Sequence, residues 1–209
     1  MRGEGDDSSD ADRLEALWAG DFGDAYSVRN AAAAEGRRPF WDARHAQLGF
    51  ASALEVGCNV GGNLRWLAEL LGPDNVAGVD VNEQALETLR AALPGVDARR
   101  APARELPFGD GAFDLVFTTG VLIHQPPAEL PAVMDEIVRC SRSYVLCGEY
   151  HANALEEVPY RGQEGALFRN DYGRLYRERF PDLRLVEEGF LARDDGPWDD
   201  LTYWVFARP

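Results

Sequence analysis

The chain has 209 residues, 45% apolar and 27% charged, which suits one domain with a full hydrophobic core and would cramp two. Its 36 acidic against 21 basic residues give a formal net charge of -15, which opposes association with nucleic acid or anionic lipid. No run of about 18 apolar residues marks a membrane span and the acidic start carries no signal-peptide core, so a cytoplasmic protein is expected. Cys58, Cys140 and Cys147 lack metal-ligand spacing, and His45, His124 and His151 do not cluster. Buried thiols in a reducing compartment are expected, and no metal.

Residues 1–12 are rich in Gly, Asp and Ser and are expected to be a disordered acidic leader, with a single domain over 13–209. Residues 13–50 read as a helical cap: Leu14, Leu17 and Trp18 mark one short helix, and Phe40, Trp41, His45 and Leu48 a second, with the aromatic-polar stretch 22–30 between them. A strand follows at Ala53–Val56, a glycine turn, and a helix with Leu64, Leu67, Ala68 and Leu71 on one face, stopped by Gly72-Pro73. Val76–Asp80 is the second strand. Asn82 is the expected N-cap of a helix carrying Ala85, Leu86, Leu89 and Leu93, ended by Pro94-Gly95. Val96–Arg100 is a weak third strand and residues 113–118 the fourth; Leu130, Val133, Met134, Ile137 and Val138 mark the next helix, and residues 144–148 the fifth strand. An irregular stretch to Leu167 precedes a helix over 170–180, and strands over 183–191 and 201–207 close the chain.

Alternating strands and helices imply a parallel sheet with helices on both faces, and the short final loop makes the last pair antiparallel. The expected fold is α/β and Rossmann-like: seven strands, mostly parallel, with an antiparallel C-terminal hairpin and a helical N-terminal cap. In such sheets ligands bind beyond the carboxyl ends of the strands.

The turn after the first strand reads Glu55-Val56-Gly57-Cys58-Asn59-Val60-Gly61, not Gly-x-Gly-x-x-Gly. Glycine lets the backbone approach a ligand, and Asn59 tolerates the left-handed conformation that such a turn needs. An acidic residue closing the strand sits badly beside a pyrophosphate and suits a cationic ligand with an amino group. Asp80, at the tip of the second strand, is placed to accept hydrogen bonds from both ribose hydroxyls, with Val81 beside it.

These two segments resemble the first two motifs of the class I S-adenosylmethionine-dependent methyltransferases. The resemblance implies that S-adenosylmethionine is held by Glu55, Gly57, Cys58, Asn59, Gly61, Asp80 and Val81, and that the helical cap covers it. Tyr26, Arg29 and Asn30 are then candidates for its methionine end, or plain packing of the cap. The backbone of Ala103 and Arg104 borders the adenine; Pro102 stands where many relatives carry an acid. Carbonyls at Thr118 or Thr119 hold the amino group. His124 is either a proton acceptor or a packing residue. Glu149 and Tyr150 face the cleft at the end of the fifth strand, with Glu149 a second catalytic candidate. Tyr160 and Arg161 lie in a substrate loop, Arg161 contacting an anion or pairing with Glu156, Glu157 or Glu164.

The phrases at 22–26, 54–59, 120–124, 157–162 and 199–202 further resemble the methylases associated with pseudaminic acid biosynthesis, over roughly residues 18 to 207. The expected function is N- or O-methylation of a small polar metabolite, with no nucleic-acid or membrane partner. The phosphate turn of an NAD(P) oxidoreductase is missing. Two readings stay open beside the expected one: a non-catalytic cofactor-binding domain, and a methyltransferase for macromolecules.

Overall fold

In the computed structural model, which describes residues 10–30 and 35–209, the centre of the molecule is strand β1 (Ala53–Val56). All its residues are buried, as a parallel strand covered on both faces must be. Among the described residues three helices precede it: α1 (Asp10–Ala19), α2 (Asp21–Asn30) and α3 (Arg38–Leu48). After it run α4 (Leu64–Leu71), β2 (Val76–Asp80), α5 (Glu83–Ala92), β3 (Asp97–Arg100), β4 (Phe113–Thr119), α6 (Leu130–Cys140) and β5 (Ser141–Glu149). Short β6 (Glu156–Glu157) and β7 (Phe168–Arg169) pair separately, and α7 (Tyr172–Arg179), β8 (Arg184–Leu191) and β9 (Leu201–Ala207) finish the fold.

The seven-stranded sheet has the order β3-β2-β1-β4-β5-β9-β8. Strands β1 to β5 pair in parallel, while β9 lies antiparallel to both β5 and β8. This is the expected architecture. Chain order reverses between β1 and β4, so the loops after these strands diverge and leave a crevice. One core packs Leu54, Val56 and Val116 against α6 and α7 through Val133, Ile137 and Tyr176. The other packs Ala53, Leu115 and Phe117 against Trp41, Leu64, Leu67 and Leu86 of α3, α4 and α5.

Local signals placed most elements. Asn82 caps α5 by accepting from Ala85 N at 2.7 Å, and Asp171 caps α7 by accepting from Arg174 N at 2.7 Å, so that helix begins at Tyr172 rather than 170. β3 carries no buried position, which is why its pattern is weak: it is an edge strand. α1 starts at Asp10, so the end of the expected leader is helical; Asp10 and Asp12 stabilise its first turn electrostatically. Residues 1–9 lie outside the described residues. α2 carries no helical signal in the sequence, because its buried positions are the small residues Gly23 and Ser27, not an apolar stripe. The three cysteines are free and buried. Among the described residues no helix is long and apolar enough to cross a membrane.

Candidate active site

The crevice beyond β1, β2 and β4 is roofed by the N-terminal helices and encloses about 800 Å³. Its floor is the turn after β1. Gly57 (φ 74°) and Asn59 (φ 48°) adopt left-handed conformations, and a Cβ at Gly57 would collide with Val121. Gly57 N and Cys58 N both donate to Val79 O, at 2.8 and 2.9 Å, tying this turn to β2. Asn59 N donates to Asp80 Oδ2 at 2.8 Å, and Asn59 Oδ1 accepts from Ser27 Oγ at 2.5 Å, so the cap is fastened to the same turn. Asp80 Oδ1 accepts from Asn82 N at 2.9 Å. The backbone N–H groups of Asn59, Val81 and Asn82 thus hold the Asp80 carboxylate in place on the cavity wall, where its oxygens can also accept from a ligand hydroxyl.

Glu55 stands at the inner end, 2% exposed. Its Oε1 accepts from Asn63 Nδ2 at 2.6 Å and from Thr119 Oγ1 at 3.4 Å, while Oε2 is buried without a hydrogen-bond partner. Burial pushes its pKa up to about 8, against the opposing pull of Asn63 and the Arg37 charge. Arg37 donates to Asn63 Oδ1 at 3.1 Å and to Pro197 O at 3.2 Å, and its guanidinium lies 4.3 Å from the centroid of the Trp198 ring. Asn63 therefore joins Glu55, Arg37 and Trp41, whose Nε1 donates to Asn63 Oδ1 at 3.3 Å.

His124 ends a 3₁₀ turn (Leu122–His124) beyond β4 and is 8% exposed. Its Nδ1 lies 2.7 Å from Ala166 O. A carbonyl only accepts, so the geometry assigns the proton to Nδ1 and leaves Nε2 as an acceptor. Burial lowers its pKa to about 4, so the ring is neutral at pH 7. Trp18 packs on it with centroids 4.4 Å apart, and Tyr160 at 5.1 Å. Tyr26, half-buried, is pushed up to about 12, mainly by burial and next by Tyr160.

The structure brings most of the anticipated residues to this one cavity: Tyr26, Glu55, Gly57, Cys58, Asn59, Asp80, Val81, Ala103, Arg104, Thr119, His124, Tyr150, Tyr160 and Arg161 line it. Gly61 (φ 81°) turns the chain behind the wall, against Leu89 and Leu93. Thr118 is fully buried within β4, between Val56 and Cys147. Glu149 is also fully buried, behind the cleft: its carboxylate accepts from Val121 N and Ile123 N, each at 3.3 Å, and holds the turn that carries His124. The Arg104 side chain is engaged by the cap, pairing with Glu15 at 2.6 Å and Asp12 at 3.6 Å. Asn30 closes α2, and its side chain lies outside the described residues.

Trp18, Arg37, Asn63 and Trp198 also line the cavity and are outside the site that the sequence motifs mark. Asn63, two residues after Gly61, is within reach of a motif argument. Arg37 is not, because its partner Pro197 is 160 residues away in the chain.

Residues 53–143 match the family model described as "Methyltransferase domain". Phthiotriol/phenolphthiotriol dimycocerosates methyltransferase of Mycobacterium tuberculosis is 38% identical over 76 residues, 35% of this chain and 28% of that protein, so the chain spans under a third of this relative's length. Burkholderia thailandensis 1,6-didemethyltoxoflavin-N1-methyltransferase, solved with 1,6-didemethyltoxoflavin and S-adenosylhomocysteine, has the same fold: TM-score 0.76, 18% identity, 96% of this chain and 91% of that one. Magnesium protoporphyrin IX methyltransferase from Synechocystis, solved with bound S-adenosylmethionine, aligns with TM-score 0.69 and 14% identity over 99% of this chain and 100% of that one. The match to a methyltransferase-domain model thus covers residues 53–143, and the fold of the chain is the one these two solved methyltransferases share.

Proposed function

We propose that this chain transfers a methyl group from S-adenosylmethionine to a nitrogen or oxygen of a small polar molecule. The observation that carries this is the pairing of Glu55 and Asp80 across one turn at the floor of the cavity. Glu55 keeps a buried carboxylate oxygen with no partner, suited to an ammonium. Asp80 lines the cavity with its carboxylate held by backbone N–H groups, suited to accept from ribose hydroxyls. Arg37, beside Glu55, fits the carboxylate of an amino-acid end. The donor set therefore fits the cofactor at both of its polar ends, with Ala103 and Arg104 along the adenine edge.

When bound, the cofactor supplies a methyl group on a sulfonium sulfur, and the S–C bond pair returns to sulfur on transfer. The protein's part is to bring the acceptor's lone pair into line and to keep water out. His124 Nε2 orients the acceptor N–H or O–H. It takes that proton once the new bond has turned the methylated atom into a strong acid, which a neutral imidazole of low basicity can do. Glu149 positions His124 through the backbone of residues 121–123. Tyr150, Tyr160 and Arg161 border the acceptor. The narrower likeness to the pseudaminic acid-associated methylases favours a polar metabolite, as do the acidic net charge and the enclosed cleft.

The test is mass spectrometry of a metabolite extract incubated with the full chain and methyl-deuterated cofactor. A mass gain on a small compound, lost in Asp80→Ala, is expected. Gains confined to tRNA or protein would refute the small-molecule assignment.

A further inference from the structure

The wall of the cavity on the His124 side is made of rings. Trp18 sits 4.4 Å from His124 and 5.2 Å from Tyr26, and 6.4 Å from Tyr160, centroid to centroid. All four side chains line the same cavity. An acceptor bound within reach of His124 Nε2 must lie against these rings. Their faces and edges favour a flat π-system over a puckered sugar ring, whose hydroxyls would be desolvated there with few partners.

Among the described residues, the rim next to this wall carries one guanidinium outside the ion pairs, that of Arg161. Tyr160 and Gln163 exchange backbone hydrogen bonds at 3.0 and 2.9 Å across a two-residue turn in which Arg161 (φ 50°) and Gly162 (φ 80°) are both left-handed. Such turns favour Asn-Gly, and an arginine in the first position is strained. The strain is not offset by an ion pair. Of the four arginines lining the cavity, Arg104 pairs with Glu15, Arg193 with Asp199, and Arg37 bonds Asn63 and Pro197. Arg161 forms no ion pair among the described residues, and its guanidinium rests 5.8 Å from the centroid of the Tyr160 ring. Local strain retained at a cleft mouth is a mark of a binding residue.

We infer that the methyl acceptor is a flat aromatic or heteroaromatic compound carrying an anionic substituent, its ring against Trp18 and Tyr160 and its anion on Arg161. This deepens the methyl-transfer reading and rests on it. The ring supplies the nitrogen or oxygen that faces His124, and the guanidinium fork selects a carboxylate or a similar anion at the rim.

The test is calorimetry on the full chain saturated with S-adenosylhomocysteine, using three probes: 4-hydroxybenzoate, its saturated analogue 4-hydroxycyclohexanecarboxylate, and phenol. 4-Hydroxybenzoate is expected to bind about tenfold more tightly than either of the others. Tyr160→Leu should abolish the preference for the aromatic ring. Arg161→Asn should abolish the preference for the carboxylate while raising thermal stability, because Asn-Gly suits the turn; a purely structural arginine would move stability alone. Both variants should keep S-adenosylhomocysteine affinity within about twofold. Equal binding of the three probes, or binding of none, with S-adenosylhomocysteine bound normally, would overturn this inference alone. Failure of S-adenosylhomocysteine itself to bind would remove the methyl-transfer reading and this one with it.

Discussion

Replacing Glu55 with Gln exposes the proton that cofactor binding should move. Glu55 is buried, holds Asn63 and Thr119 on one oxygen and has no partner on the other, and its pKa is raised to about 8. At pH 7 such a group is protonated in about 0.9 of molecules. An ammonium arriving beside it favours the ionised form, so binding should release close to one proton at pH 7. The affinity for S-adenosylhomocysteine should then rise nearly tenfold from about pH 6 to pH 7 and level off above about pH 8. Glu55→Gln should bind with no such release and no such slope. At pH 8 it should bind about 10- to 100-fold more weakly, the size of one lost charge-assisted hydrogen bond. Titration calorimetry in buffers of different ionisation enthalpy reads the released proton directly. Equal proton release from the wild type and Glu55→Gln would refute the assignment of Glu55 to the cofactor's amino group.

Three further outcomes follow from the same geometry. His124, lowered from 6.5 to about 4 by burial, binds a proton in the unfolded chain before it does so in the folded one, so its share of stability is present above pH 6.5 and is lost as pH falls toward 4. That share is about 3 kcal/mol. His124→Gln should flatten acid denaturation across this window and lower kcat about 100-fold with little change in S-adenosylhomocysteine affinity; unchanged kcat would remove its proton-accepting role. Glu149→Gln leaves one acceptor oxygen for the backbone N–H groups of the 121–123 turn, so stability measured by denaturant should fall about 1–3 kcal/mol with kcat reduced through the displaced 121–124 turn; unchanged stability would contradict the clamp. Gly57→Ala forces a Cβ into Val121 at φ 74° and should abolish S-adenosylhomocysteine binding, which fluorescence or calorimetry detects; wild-type affinity would show that the turn does not bound the site.

What was legible in the chain was local. The run from Ala53 to Leu71 announces strand, turn and helix in one short stretch, and Asp80 follows at the tip of the next strand, so this end of the cleft could be drawn from spacing, and its proposed ligand from the resemblance those motifs carry. The acceptor end depends on contacts between segments far apart. α2 escapes a periodicity argument because Gly23 and Ser27 are the positions it buries, the first under Trp18 O and the second against Asn59. Arg37 reaches Pro197, and Arg104 reaches Glu15, each through folding rather than sequence proximity. Glu149 falls at the end of β5 as expected, but its direction is not readable: strand alternation gives two faces, and the amides of Val121 and Ile123 draw the carboxylate behind the cleft.

A crystal of the full chain grown with S-adenosylhomocysteine addresses the central claim most directly. The ligand should lie in the crevice with its ribose hydroxyls on the Asp80 carboxylate, its amino group at Glu55 and its sulfur turned toward His124. Density for the ligand outside the crevice, or a dinucleotide diphosphate seated on the Gly57–Gly61 turn instead, would contradict the assignment.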